Sequence, residues 1–459
     1  MTLPEDTIAA ISTPVGPGGI GIVRMSGPLA IPIADRIFRA TGKKPSAAKG
    51  FSLLHGRVID PENRGVLDEA LLSVMKGPRS YTREDVVEIS CHGGMVAVSR
   101  LLELVLSQGA RLAEPGEFTK RAFLNGRISL TQAEAVLDII QARTEESMRI
   151  AVSQLQGGLA EKLAAARESL ISIAALAEAH IDFPEEEIPP ADVGRFIQGI
   201  ARLRQEIEAL SSTYADARFF RDGLSVAIIG RPNVGKSSLL NRLLLKDRAI
   251  VTETPGTTRD VIEDFLNING LPVKIMDTAG IRESDERIEQ EGIRRSLQAA
   301  EDADFVIVML DGSSPLVQED RDLLDRVAAE KAIVAVNKSD LPQRLDLDDA
   351  SLAGMTCLSI SAATGDGISR LKDVVYSKNL RNWDKEREGV VVTNLRHKTS
   401  LDRAARALER AERSLSSGRP LELFAIDLRD AIDSIAEIAG AVTADEILDR
   451  IFSRFCIGK

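Results

Sequence analysis

The stretch Gly230-Arg231-Pro232-Asn233-Val234-Gly235-Lys236-Ser237 follows the apolar run Val226-Ala227-Ile228-Ile229 and precedes Ser238-Leu239-Leu240-Asn241. Strand, glycine-bounded loop and helix start, in that order, specify a phosphate-binding loop. Glycines permit backbone conformations that turn successive N–H groups onto phosphate oxygens, and the helix N-terminus adds the positive end of its dipole. Asn233, Val234, Gly235, Lys236, Ser237 and Ser238 are therefore expected around the phosphates. Lys236 would reach the β- and γ-phosphates and Ser237 would ligate Mg²⁺.

Further along, the strand-like Val273-Lys274-Ile275-Met276 runs into Asp277-Thr278-Ala279-Gly280. An Asp at a strand end can hold Mg²⁺ through water, and a flexible glycine can follow the γ-phosphate. The run Ala332-Ile333-Val334-Ala335-Val336 ends in Asn337-Lys338-Ser339-Asp340. A carboxylate there accepts paired hydrogen bonds from the ring N–H and exocyclic amine of guanine, which adenine cannot offer, so Asp340 is expected to select GTP over ATP. Ser361-Ala362, after the run from Thr356 to Ile360, would complete the base pocket.

The hydrolytic groups are less standard. The position after Gly280, often Gln in small GTPases, is Ile281, whose alkyl chain cannot orient water. Phosphoryl transfer rests on positioning and on neutralising the charge that develops between the β- and γ-phosphates, so both tasks must fall elsewhere. Asn233 and the segment Thr252-Glu253-Thr254-Pro255-Gly256-Thr257-Thr258 offer oxygen atoms suited to K⁺. On the residues alone, Asn233 bracing the loop and a solvated threonine segment is an equal alternative. Among the acids between Glu283 and Glu291, Glu289 is the candidate for orienting water, its neighbours reading as a solvated helix face.

These groups need a scaffold. From about Asp222 to Tyr376, apolar strand-like runs alternate with helical patterns, as in a parallel sheet covered by helices. Before it, Thr131 to Tyr214 carries apolar spacings of three and four, and after it Leu395 to Leu415 and Leu423 to Ile451 read the same way, with Ser417-Gly418 as a break. The later segments are a thin basis for a separate core, so the nucleotide module is expected to be inserted into one helical domain, with a hinge near Arg221-Asp222-Gly223. The first hundred or so residues mix short strands with Gly and Pro and read as an α+β domain. Gly16-Pro17-Gly18-Gly19-Ile20-Gly21 reads as a loop, since the residues after it are strand-like rather than helical. Cys91-His92 is a poor catalytic dyad, because neighbours in a strand point to opposite faces, and a turn is the better reading.

At 459 residues the chain exceeds a single core, and three units are expected. No run approaches a bilayer span, and Glu5 and Asp6 stand where a secretory signal would be basic, which predicts a cytoplasmic protein with no membrane contact. Three cysteines and four histidines, with no C-x-x-C, argue against disulfides and structural zinc. A net charge of −11 argues against broad nonspecific polyanion binding, so any nucleic-acid contact needs a local basic patch or a basic partner. Near the end, Cys456-Ile457-Gly458-Lys459 lacks the aliphatic spacing of a prenylation signal. Cys456 is either a reactive thiol flanked by Arg454 and Lys459 or an inert one packed beside Phe455.

Several stretches resemble the MnmE (TrmE) family of bacterial GTPases: Gly19-Ile20-Gly21-Ile22-Val23-Arg24-Met25-Ser26-Gly27, Pro115-Gly116-Glu117-Phe118 with Arg121-Ala122-Phe123-Leu124-Asn125, Ile181-Asp182-Phe183-Pro184, and Phe455-Cys456-Ile457-Gly458-Lys459. The likeness spans the whole length. It implies a tetrahydrofolate-binding, dimerising α+β domain over 1–118, a discontinuous all-α helical domain over 119–221 and 379–459, and an inserted Ras-like α/β G domain with a mainly parallel sheet over 222–378. It implies a homodimer acting with the flavoprotein MnmG (GidA) as a heterotetramer, FAD being held only by that partner. Together they would install an aminomethyl or carboxymethylaminomethyl group at C5 of the tRNA wobble uridine, using a 5-formyl or methylene tetrahydrofolate. By motif, folate falls to Arg24, Glu88, Arg127 and Lys459, with Arg127 standing where the family commonly has Lys. K⁺ falls to Asn233, Thr252, Thr254 and Thr257, and Mg²⁺ to Ser237 and Thr258. The attacking water is expected near Glu289, and Cys456 aligns with the cysteine needed for tRNA modification. The rival reading is a regulatory GTPase of ribosome assembly without covalent RNA chemistry. Such proteins often carry a KH domain with a G-x-x-G loop, and the helical C-terminal flank here offers none.

Overall fold

The computed structural model describes residues 6–14, 16–182, 190–247, 265–276, 298–381, 383, 389–440 and 445–459. The described residues form two sheets and a helical body. The first sheet has seven strands in the order β3-β4-β5-β6-β2-β1-β7: Ile8–Ile11 (β1), Ile20–Ser26 (β2), Phe38–Ala40 (β3), Ser52–Ile59 (β4), Val66–Met75 (β5), Val86–His92 (β6) and Arg111–Leu112 (β7). All its pairings are antiparallel except β1 with β7. Alternation in β2 turns Val23 and Met25 inward onto helices Ala30–Ile37 (α1) and Met95–Ser107 (α2), and leaves Ile22 and Arg24 on the opposite face.

The second sheet has the order β13-β12-β11-β8-β10-β9. Its strands are Leu224–Ile229 (β8), Phe265–Ile268 (β9), Leu271–Met276 (β10), Phe305–Asp311 (β11), Ala332–Asn337 (β12) and Cys357–Ser359 (β13). Only β9 pairs antiparallel, folding back on β10. The two-residue link Asn269-Gly270 has positive φ at both positions, 55° and 95°, the geometry that matches strand twist in a tight hairpin. Alternate residues of β8, β11 and β12 feed separate cores on the two faces: Ile228, Ile307 and Ala335 on one, Ile229, Val308 and Val334 on the other. Burial on both sides explains the unbroken apolar runs.

The helical body comes from both flanks of this sheet. Glu117–Leu124 (α3), Leu130–Gln141 (α4), Glu145–Leu155 (α5), Gly158–Asp182 (α6), Pro190–Ser212 (α7) and Tyr214–Asp222 (α8) precede it. Lys236–Asp247 (α9), Gln318–Leu324 (α10) and Ile368–Asn379 (α11) belong to it, and Leu395–Ser416 (α12), Leu421–Ala439 (α13) and Asp445–Phe452 (α14) come after it. Leu163, Leu170, Ile200 and Leu203 share one core with Leu401, Leu408, Phe424 and Leu428, so neither flank closes a core alone. Buried polar contacts bind the flanks too: Gln154 Nε2 donates to Thr393 Oγ1 at 3.1 Å, and the Val392 N–H to Thr213 Oγ1 at 2.9 Å. The fold is thus an α+β unit, a discontinuous helical domain and an inserted Ras-like α/β unit.

The stretches with helical spacing are subdivided. The stretch from Thr131 to Tyr214 divides into several helices, the first opened by a reciprocal cap between Ser129 and Gln132. The segment from Leu423 to Ile451 is interrupted as well. Gly440 ends α13 at φ 86°, where a Cβ would lie 2.8 Å from the Phe123 ring, and α14 begins at Asp445.

Candidate functional site

β8 delivers the chain to Gly230, and α9 starts at Lys236, so the loop between them sits at the carboxyl edge of the parallel sheet, where ligands bind in such folds. Asn233 takes φ 62° and Gly235 takes φ 104°, where a Cβ would lie 2.2 Å from Asn337 Nδ2. Glycine at 235 is therefore required by contact as well as by conformation. Lys236 Nζ donates to the carbonyls of Gly230 at 2.7 Å and Arg231 at 2.8 Å, lying across its own loop. Burial pushes its pKa down, so an incoming anion is a favourable partner. Asn233, Ser237 and Ser238 lie along this loop and the first helical turn with at least part of their surface open, whereas Val234 is buried.

Asn337 ties this loop to the segments that carry Asp340 and Ser361. Its Nδ2 donates to the Val234 carbonyl at 2.7 Å and its Oδ1 accepts from the Ala362 N–H at 2.9 Å. Ser361 Oγ donates to Asp340 at 2.6 Å, which orients an otherwise exposed carboxylate. Lys338, at φ 65°, pairs with Asp311 at 2.6 Å, and this partner holds the Asp311 pKa down against burial. The three sequence segments thus converge on one edge of the sheet. Thr252, Thr254, Thr257, Thr258, Asp277, Thr278, Ala279, Gly280, Ile281 and Glu289 lie outside the described residues. Among the described residues, no group of three or more His, Cys, Asp or Glu is arranged to hold a metal ion.

A second polar cluster lies on the first sheet. Arg24 stands directly across from Glu88 in the β2–β6 register, and their side chains pair at 2.7 Å. The Arg24 guanidinium also lies 5.9 Å from the Tyr81 ring and 5.6 Å from the Phe118 ring. The Arg127 guanidinium lies 4.8 Å from the same Tyr81 ring and donates to the Tyr81 carbonyl at 3.2 Å. Residues 455–459 close over the cluster. Pro115 bridges Ile457, the Phe118 N–H donates to the Lys459 carbonyl oxygen at 3.2 Å, and Gly458 O accepts from both Ser12 Oγ and Arg24 Nη1 at 3.2 Å. Gly458 sits at φ 97°, where a Cβ would meet Ile11 O at 2.3 Å, so the tail's path depends on glycine. Arg24, Glu88, Arg127 and the backbone of Lys459 are brought into one neighbourhood.

Two family models match: the MnmE helical domain over residues 130–456 and the GTP-binding protein TrmE N-terminus over residues 7–127. The chain belongs to the MnmE family of tRNA modification GTPases. It is 48% identical over 456 residues to a protein of Geotalea uraniireducens, covering 99% of each chain. A protein of Carboxydothermus hydrogenoformans is 46% identical, with 99% of this chain and 100% of that one covered, and one of Acetivibrio thermocellus is 44% identical with 99% of each covered. Each of these relatives is named tRNA modification GTPase MnmE.

Within this MnmE fold Arg121, which the sequence offers only as part of the stretch Arg121-Ala122-Phe123-Leu124-Asn125, acquires a task. At 1% exposure it donates to Asp6 at 2.6 Å, Glu117 at 2.9 Å and Glu84 at 3.1 Å. Burial opposes its charge, but these carboxylates outweigh that and hold its pKa above the ordinary arginine value. Arg121 thereby fixes α3 and, through it, Phe118 beside Arg24. The two cysteine questions also separate. Cys91 is buried and His92 exposed, both inside β6 rather than in a turn, so the dyad is excluded by strand alternation. Cys456 is exposed while Phe455 packs on Phe452 at 5.6 Å, which removes the reading of a thiol buried beside Phe455.

Proposed function

We propose that this chain is a K⁺-activated GTPase that works with an FAD-bearing flavoprotein of the MnmG (GidA) type to form the aminomethyl or carboxymethylaminomethyl group at C5 of the tRNA wobble uridine. The one-carbon unit would come from a 5-formyl or methylene tetrahydrofolate. Family membership supports the GTPase and tRNA roles, and the Arg24 cluster supports the folate step. A pterin ring presents adjacent N–H and amine donors, which a carboxylate such as Glu88 accepts, while its glutamate tail calls for cations such as Arg24 and Arg127. Tyr81 supplies an aromatic face beside them. When bound, the folate would supply the activated carbon, and Arg24, Glu88 and Arg127 would hold it.

In the G domain, Asp340 would take the paired guanine donors and Lys236 would exchange its loop carbonyls for phosphate oxygens. Ser237 and Thr258 would hold Mg²⁺, and Asn233, Thr252, Thr254 and Thr257 would hold K⁺. Asn233 fits this part, being an exposed amide on a left-handed loop residue. With Ile281 unable to orient water, Glu289 would do so when two G domains of a homodimer pair across their nucleotides.

GTP turnover in K⁺ and in Na⁺ at equal ionic strength tests the cation, with equal rates counting against it. Equilibrium binding of a reduced folate by the whole chain and by Arg24→Ala tests the cluster. Equal affinity in both would remove Arg24 from the folate site, and no binding by either would remove the folate reading.

A further inference from the structure

Arg231, the second residue of the phosphate loop, is engaged by a buried carboxylate 89 positions away: its Nε donates to Asp320 Oδ1 at 2.7 Å. We propose that Asp320 is a positioning residue for guanine nucleotide binding, acting through Arg231 to hold the phosphate loop in its binding shape. The inference rests on reading Gly230 to Ser237 as that loop.

Asp320 is 1% exposed, and a carboxylate so placed is tolerable only when its oxygens are satisfied. Oδ1 takes Arg231, and Oδ2 accepts from the Val317 N–H at 3.2 Å, which caps the start of α10. Leu324, at the other end of this helix, is buried in one core with Val306, Val308 and Leu310 of β11. The anchor is thus part of the packed body of the G domain. On the loop's other shoulder, Asn337 Nδ2 holds the Val234 carbonyl. Tethers at Arg231 and Val234 therefore bracket Pro232 and Asn233, the latter at φ 62°, a conformation an untethered asparagine adopts only part of the time. If the binding-ready loop is a minor population once a tether is cut, the apparent dissociation constant rises by the inverse of that population. GDP and GTP are affected alike, because the loop shape precedes contact with either, and turnover at saturation is spared.

A pair serving stability alone would lower the melting temperature and leave the affinity of the folded protein as it was. The test measures GDP dissociation constants, KM and kcat for GTP, and melting temperature for full-length Asp320→Asn, Arg231→Gln, the double variant and Lys236→Ala. Each single variant is expected to weaken GDP binding and raise KM about tenfold, with kcat within about twofold and the double variant no weaker than the singles. Unchanged affinity in both singles, losses that multiply in the double, or a fall in kcat alone would overturn the proposal. Should Asp320→Asn not fold, Arg231→Gln decides, since Arg231 lies partly at the surface. Lys236→Ala should lose GDP binding. If it binds as the parent does, the phosphate-loop reading fails with the proposal, whereas loss there with unchanged Asp320→Asn and Arg231→Gln defeats the proposal alone.

Discussion

Arg24 and Gly458, 434 positions apart, are joined by a hydrogen bond of 3.2 Å from guanidinium to carbonyl. The tail that carries the exposed Cys456 is thereby held over the Arg24–Glu88 pair, far in sequence from the nucleotide loop. Replacing one sulfur by oxygen leaves the tail's backbone bonds intact. Cys456→Ser should therefore keep GTP turnover within about twofold while tRNA modification, followed by nucleoside analysis, is lost. Loss of both activities together would mean that the cysteine is structural.

Base choice offers a second measurement. Asp340 is oriented by Ser361 at 2.6 Å, and the carboxylate is what guanine's two donors require. In Asp340→Asn one acceptor becomes a donor, matching xanthine, which carries a carbonyl where guanine has its amine. GTP affinity should fall by about a hundredfold or more and xanthine nucleotide affinity should rise. Competition binding with GDP and XDP reads both changes.

Asn337 is buried and spends both ends of its amide, on Val234 and on Ala362. Truncation in Asn337→Ala strands a carbonyl and an N–H, at about 1–3 kcal/mol in stability. The phosphate loop and the base segment also lose their common brace, so GDP should dissociate faster. Thermal unfolding and stopped-flow release check the two parts separately.

Acid stability should carry the mark of Glu134. Burial disfavours its charge, but His397 at 2.6 Å and Arg396 at 2.9 Å bring its pKa down to about 2 from 4.5. A depressed carboxylate stabilises the fold above its unfolded pKa, and that contribution fades as pH falls from about 4.5 towards about 2. Denaturant melts across this range should show the loss in the parent chain and a flatter dependence in Glu134→Gln. Equal slopes would show that the ion cluster does not govern acid unfolding.

The loop from Gly230 to Gly235 and the strands beside it are legible in the sequence because their signals are local: apolar runs bounded by glycine, then a helical start. The discontinuous helical domain is legible for a different reason, since the later helices alone could not close a core. Other features need the third dimension. Asp320 reads in sequence as one more acid in Gln318-Glu319-Asp320-Arg321, and only packing shows that it is buried and bonded to Arg231. Arg121 looks like part of a motif, and of its three carboxylate partners two come from distant segments. The Asn269-Gly270 hairpin does carry a local signal, which lies between stronger motifs. Gly440 is hidden because its neighbours keep helical spacing on both sides, and the Phe123 ring packed against it leaves no room for a side chain.

The bond from Arg24 to Gly458 also imposes an order on biosynthesis. Strand β2 leaves the ribosome early and can pair with β6, but the backbone that covers Arg24 is made more than four hundred residues later. At about 5–20 residues per second the delay is roughly 20–90 s. Through that interval the arginine face stays open on a nascent chain, so a prematurely terminated product carries the sheet without its cover.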